Sequence, residues 1–184
     1  PVSITANRQQ NGKESCRYAY AGGIVGKVAG PLSGCKNRGD ISAPAVCTFL
    51  IMGGIAGSSN NAVSDIINAA QITLPGNPGG TSGPLKEEFL GPRYAFVGGV
   101  AGQLTSNGSI AGNGDTTNSG AVTVDLMEVH AESYVYIGGI LGQLLGKSVT
   151  NTVNDGAVSV KTTSPNDKNA VNWNVHSLGG SVGQ

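Results

Sequence analysis

The chain has 184 residues with 11 basic and 11 acidic side chains, so its formal net charge is zero, and charged residues make up 12% of it, about half the ~25% of an ordinary soluble domain. With no excess of Lys or Arg there is no electrostatic footprint for nucleic acid or an anionic membrane surface, and low net charge with 39% hydrophobic residues is not the composition of a disordered chain. The longest charge-free apolar stretch, around Cys47–Ile55, contains Thr48 and Gly53–Gly54 and falls far short of the ~20 residues of a membrane span.

The chain opens at Pro1 with no signal-type segment and stops inside a repeat at Gly183–Gln184, which reads as an excised piece of a longer protein. In chain order the first predicted strand contains Tyr18 and Tyr20. A glycine pentamer, GGIVG over 22–26, follows it, and then a second block, Asn37-Arg-Gly39-Asp-Ile41. The same succession returns three times. Phe49 and Ile51 precede GGIAG at 53–57 and Asn68–Ile72. Tyr94 and Phe96 precede GGVAG at 98–102 and Asn118–Val122. Tyr134 and Tyr136 precede GGILG at 138–142 and Asn154–Val158, and GGSVG at 179–183 closes the chain. The intervals of 31, 45, 40 and 41 residues mark a repeat array, here one domain over 1–184. Length variation falls in the connections: repeat three has an insertion at Thr105–Asp115, and the longest loop, 75–92, holds four of the eight prolines.

Four residues before each glycine pair stand Tyr18, Phe49, Tyr94, Tyr134 and Val175, and two before it stand Tyr20, Ile51, Phe96, Tyr136 and Ser177. Period-two spacing puts both columns on one face of an extended segment, with Ala19, Leu50, Ala95, Val135 and His176 on the other. One such strand cannot bury enough area to offset the entropy of ordering it. Copies stacked in parallel can, with like residues lying over like. The predicted fold is therefore all-β, a β-solenoid or β-helix-like stack whose aromatic columns run through a shared interior. In it the glycine pairs serve a corner or a close backbone approach, and Asn37, Asn68, Asn118 and Asn154 form a hydrogen-bonded ladder inside a turn. Helical signals are weak; only Pro84–Leu90 has the composition for one helical turn.

The segments GGIVGKVAGPLSGCKNRGDIS, 22–42, and GGILGQLLGKSVTNTVNDGAVSV, 138–160, resemble GLUG-type repeats, in which a glycine–aliphatic–glycine core and a polar turn lead to an Asn-x-Gly-x-aliphatic finish. Repeats two and three depart from the outline, with Ala70 where Gly is expected and with the insertion. The resemblance implies a bacterial secreted or surface-attached protein, akin to non-catalytic parts of immunoglobulin-cleaving metallopeptidases, with no catalytic residue inside the repeat.

The candidate binding residues lie off the repeated columns. Arg38-Gly39-Asp40 is a tripeptide that some integrins recognise, although Gly39 is dictated by the repeat and the ordinary-turn reading is the stronger. In the long loop Phe89 and Leu90 are apolar anchors with Lys86, Glu87 and Glu88 as a polar rim, set against the alternative that the two apolar residues pack back onto the stack. Cys16 and Cys47 each stand six residues before a glycine pair, so a disulfide between them is weighed against in-register neighbours that lack the geometry. Cys35 reads as a small buried hydrophobe. His130 and His176 lack partners at ligand spacing, the carboxylates are scattered singly, and no serine has a nucleophile-elbow context. The expectation is a non-enzymatic extracellular or cell-surface module, adhesin-like or a spacer, that needs no cofactor and whose partner is a host glycan or surface protein. The alternative is a carbohydrate-active or peptidase-associated β-helix with its catalytic residues elsewhere.

Overall fold

The computed structural model of the chain describes residues 2–3, 17–43, 49–75, 94–125, 134–161 and 174–180, and among them every regular element is a strand. In chain order these are β1 (Val2–Ser3), then β2 (Tyr18–Gly22), β3 (Val25–Val28), β4 (Leu32–Ser33), β5 (Lys36–Asn37) and β6 (Ile41–Ser42) in the first repeat. The second repeat gives β7 (Phe49–Gly53), β8 (Ala56–Ser59), β9 (Ala62–Ser64), β10 (Ile67–Asn68) and β11 (Ile72–Leu74). The third gives β12 (Tyr94–Gly98), β13 (Ala101–Thr105), β14 (Ser109–Asn118) and β15 (Val122–Asp125). The fourth gives β16 (Tyr134–Gly138), β17 (Leu141–Leu145), β18 (Ser148–Asn154) and β19 (Val158–Lys161), and β20 (Asn174–Gly179) begins a fifth.

These strands form four sheets, and each sheet draws on successive repeats. The orders are β1-β6-β11-β15-β19, β2-β7-β12-β16-β20, β3-β8-β13-β17, and a mixed path β4-β9-β14-β10-β5 in which the long β14 pairs both short strands of repeat two and also β18. Every pairing is parallel. Parallel neighbours need a long return path, and here that path is the rest of the repeat, passing through the other sheets.

The register follows the sequence columns. Gly22, Gly53, Gly98, Gly138 and Gly179 are consecutive partners, and so are Ile41, Ile72, Val122 and Val158, with Val2 ahead of them. Two local shifts depart from that simple alignment. Between β16 and β20 a register shift follows Val135, so Tyr134 faces Asn174 while Val175 faces Val135. Ser177 and Gly179 regain the expected columns opposite Tyr136 and Gly138. The insertion of repeat three divides in two, part in the turn that precedes β14 and part in a bulge between Ala111 and Thr116.

The core sits between the sheets, and its position corrects one sequence expectation. Tyr18, Phe49, Tyr94 and Tyr134 line up, but they face outward, with Tyr18 46% exposed. The interior holds the alternate columns, Ala19, Leu50, Ala95 and Val135 with Ala21, Met52, Val97 and Ile137, packed against Ile41, Ile72 and Val122. The physical reason is space and polarity. The inner strip faces another sheet and takes small or aliphatic side chains, whereas a tyrosine hydroxyl retains hydrogen-bonding partners more easily at a wet edge. A second cluster, Ile55, Val100 and Ile140 with Leu104, Leu141, Val63, Ile66 and Ile110, fills the space beyond the glycine pairs.

The paired glycines serve close approach rather than left-handed dihedrals. A Cβ on Gly53 would strike the carbonyl oxygen of Ala56, and one on Gly99 would strike the carbonyl oxygen of Gly139 and the side-chain amide of Asn118. Left-handed backbone is needed at a different corner, one with no signal in the glycine columns. Gly34 (φ 68°), Asp65 (φ 54°) and Asn151 (φ 51°) each follow a residue in the aligned strands β4, β9 and β18. Gly, Asp and Asn are the residues that adopt this conformation most readily. Gly99→Val is expected to cost about 3 kcal/mol by overpacking, whereas Gly30→Ala, with open space around the added methyl, is expected to stay within about 0.5 kcal/mol. Urea unfolding of both variants checks the contrast, and equal midpoints would contradict it.

Candidate functional surface

Two continuous side-chain arrays run across the repeats, and a third feature, the Arg38-Gly39-Asp40 turn, lies beside one of them. The first array is the aromatic wall on the outer face of the β2-β7-β12-β16 sheet. Its rings are spaced 4.7 Å from Tyr18 to Phe49, 4.6 Å from Phe49 to Tyr94 and 5.2 Å from Tyr94 to Tyr134, with interplanar angles of 7–14°. That spacing is the strand separation of a parallel sheet, so register alone sets the stack. Beside it Phe96 and Tyr136 stack at 5.4 Å, in the column that holds Ile51 in repeat two. Because the rings lie face to face, each inner ring has its faces against its neighbours and presents its edge outward. At the first repeat the Arg17 guanidinium lies 5.6 Å from the Tyr18 centroid and the Lys27 ammonium 5.3 Å from that of Tyr20, cations resting on the negative faces of the end rings.

The second array is the amide ladder. Asn37 Nδ2 donates to Asn68 Oδ1 at 3.1 Å, Asn68 Nδ2 to Asn118 Oδ1 at 2.8 Å, and Asn118 Nδ2 to Asn154 Oδ1 at 2.8 Å. The same nitrogens also close the turns on their own carbonyls, Asn68 to Ala70 at 3.0 Å, Asn118 to Gly120 at 2.9 Å and Asn154 to Gly156 at 2.9 Å. Asn68 and Asn118 are wholly buried, and no buried side-chain nitrogen or oxygen among the described residues lacks a partner. The second glycine of each pair makes room for this, since a Cβ on Gly23, Gly54, Gly99 or Gly139 would run into the ladder asparagine of the same repeat. A shorter amide pair, Gln103 Nε2 to Gln143 Oε1 at 2.6 Å, follows the same logic on the next sheet.

The candidate tripeptide sits at the ladder's turn. Arg38 and Asp40 are exposed and Gly39 half-buried. The Gly39 N–H donates to Asn37 Oδ1 at 3.0 Å, and Asp40 Oδ1 accepts from the backbone N–H of Gln71 at 2.9 Å. The turn is thus tied to its own repeat and to the next, and part of the Asp40 carboxylate has a structural task. Lys86, Glu87, Phe89 and Leu90 lie outside the described residues, as do Glu88, the helical turn at 84–90, Cys16, Cys47 and His130. The His176 side chain is outside them as well. Cys35 is half-buried rather than buried, packed against the second core cluster, with its thiol 3.5 Å from the Ser33 carbonyl oxygen. Among the described residues no three His, Cys, Asp or Glu side chains gather as metal ligands, and no helix is long and apolar enough to cross a membrane.

No family model matches this chain, and neither the curated proteins nor the solved structures contain a match to it.

The ladder makes a graded prediction. Asn118→Leu removes the acceptor for Asn68, the donor to Asn154 and the cap on the Gly120 carbonyl, and is expected to lower stability by about 3 kcal/mol. Asn154→Leu removes the last rung and the bond from Asn154 Nδ2 to the Gly156 carbonyl while leaving the Asn37–Asn68–Asn118 rungs intact, and is expected to lower it by about 1.5 kcal/mol. Chemical denaturation orders the two, and an equal loss would mean that the ladder is not a connected chain of bonds.

Proposed function

We propose that the chain is a non-enzymatic, extracellular or cell-surface repeat module with a β-solenoid course, of the GLUG type that its glycine blocks resemble, and that it displays recognition elements on its turns. The observation that supports this reading is how fully the repeated side chains are taken up by their own copies. Ring faces meet ring faces, amides meet amides, and glycines meet backbone, which leaves the turns and the variable connections as the parts able to differ without breaking the stack.

Between the two uses expected of such a module, spacing and adhesion, geometry favours adhesion. A parallel stack gains about 4.8 Å per layer, and a layer here takes 31–45 residues, so length grows by roughly 0.1 Å per residue against 1.5 Å in an α-helix. This is a poor way to gain reach and a good way to hold turns rigidly side by side. The partner proposed is a host glycan or surface protein. The Arg38-Gly39-Asp40 turn is one point of contact and the 75–92 loop the other. The second reading, a β-helix joined to a catalytic part elsewhere, has no described residue in its favour.

Immobilised chain probed with mucin glycans, integrin ectodomains and host cells tests the display role. Arg38→Gln and deletion of 81–90 are the two informative variants, and Asp40→Asn removes charge while keeping an acceptor for Gln71. The expected outcome is at least a tenfold loss of binding in one variant with an unchanged melting temperature. Absence of binding by the parent chain in every arm, or binding that survives all three changes, would sink the assignment.

A further inference from the structure

One of the four ladder turns is built differently from the others. Asn68, Asn118 and Asn154 each donate from Nδ2 to the carbonyl two residues on, at Ala70, Gly120 and Gly156. Asn37 does not donate to Gly39. Its amide goes instead to the Gly54 carbonyl at 2.8 Å and to Asn68 Oδ1 at 3.1 Å. The difference traces to the repeat that follows. A Cβ on Gly120 would strike the carbonyl oxygen of Ala70, and one on Gly156 would strike that of Gly120. Each of those capped carbonyls therefore occupies room that a glycine leaves in the next repeat. Two residues past the paired Asn37 and Asn68, the residue that stands over Gly39 is Ala70, wholly buried and carrying a methyl group. The methyl takes the room in which the Gly39 carbonyl would be capped, and the Asn37 amide turns to Gly54.

This turn is also the one that carries paired charges. On either side of the glycine position repeat one has Arg38 and Asp40, where the aligned residues are Ala69 and Gln71, Ser119 and Ala121, and Asp155 and Ala157. Arg38 and Asp40 are exposed. Repeat two fixes the acidic side a second time, since the Gln71 N–H donates to Asp40 Oδ1 at 2.9 Å. Two consecutive residues of repeat two, Ala70 and Gln71, thus set the peptide that follows Gly39 and the side chain of Asp40. A turn held in this way loses little freedom when a partner engages it.

We propose that Ala70 is the positioning residue of the Arg38-Gly39-Asp40 turn, and that the contact surface is a composite of repeats one and two. Its partner is a protein groove with an acidic pocket for the guanidinium and a cationic or N–H-lined pocket for the carboxylate. Opposite charges held at a set separation complement such a groove, whereas a neutral or anionic glycan could meet the guanidinium only. The ladder turns of repeats two to four are capped and lack the paired charges, so they do not serve. This inference rests on the display reading of the turn, and deepens it by assigning the turn's geometry to repeat two and its partner to protein.

Ala70→Gly in the full chain is the informative variant, and Ala70→Ser, which keeps the Cβ, is its control. In Ala70→Gly the Asn37 amide is expected to close on the Gly39 carbonyl as in the other repeats. Amide NMR spectra read this as displaced signals from the Asn37 side chain and the Gly39 and Asp40 backbone. Binding to immobilised integrin ectodomains, the probe for an oppositely charged groove, is expected to weaken at least tenfold. Ala70→Ser should keep those signals in place and hold binding within threefold. A second copy of the tripeptide, made by Ser119→Arg with Ala121→Asp in an Arg38→Gln background, lies beneath Gly156 and is expected to bind at least tenfold more weakly than the native turn. Equal binding by that copy would overturn the proposal, as would unmoved signals in Ala70→Gly or full binding despite moved ones. Absence of integrin binding by the parent chain sinks the recognition half along with the display reading of this turn, while moved signals in Ala70→Gly uphold the positioning role by themselves.

Discussion

Identical register between successive repeats is the constraint on which the rest of this molecule depends. Once parallel strands pair with no offset, every residue must tolerate its own equivalent one strand spacing away. Few side chains do so without cost. Flat rings stack, carboxamides bond to one another because each carries both donor and acceptor, aliphatic groups pack, and glycine leaves room. A charge repeated in such a column would repel its copies. The 12% charged content and the appearance of Lys27 where repeats two to four have Ser58, Gln103 and Gln143 both follow from that rule.

The glycine pair and the asparagine ladder are one device. The second glycine of each pair lies where a Cβ would occupy the volume of the asparagine side chain. The asparagine can therefore come close enough to the backbone to be buried, and burial makes its bonds to its neighbours worth more than they would be in water. Together these contacts disfavour any slip of register, since a one-residue shift would bring a side chain into the glycine slot and leave buried amides unpaired. The aromatic wall is a consequence of that register more than a cause of it. Its rings are spaced by the sheet, and with their faces already in contact they form a stiff rib with an edge-on surface, unlike an open stacking platform for a ligand.

Much of this was legible in the sequence because columns are a one-dimensional property. Aligning on Gly22, Gly53, Gly98 and Gly138 was enough to predict strands, their parallel pairing partners and the Asn37–Asn68–Asn118–Asn154 ladder. Three features were not legible. The side of the strand that faces inward could not be read, because both alternating columns are apolar: Tyr18, Phe49, Tyr94 and Tyr134 on one face, Ala19, Leu50, Ala95 and Val135 on the other. The left-handed corner at Gly34, Asp65 and Asn151 was hidden because three different residue types satisfy the same backbone requirement. The Val175 column was misjudged because a single extra residue is absorbed in a local register shift, which a rigid count cannot detect.

The sequence by itself determined the unit of repetition, the extended conformation of each block and the partners that meet across the stack, since these follow from period and from the chemistry of like against like. Only the tertiary structure decided which face became core and how the chain turns between sheets. Those outcomes depend on the space enclosed between sheets and on contacts between elements far apart in the chain, and local pattern carries no record of either.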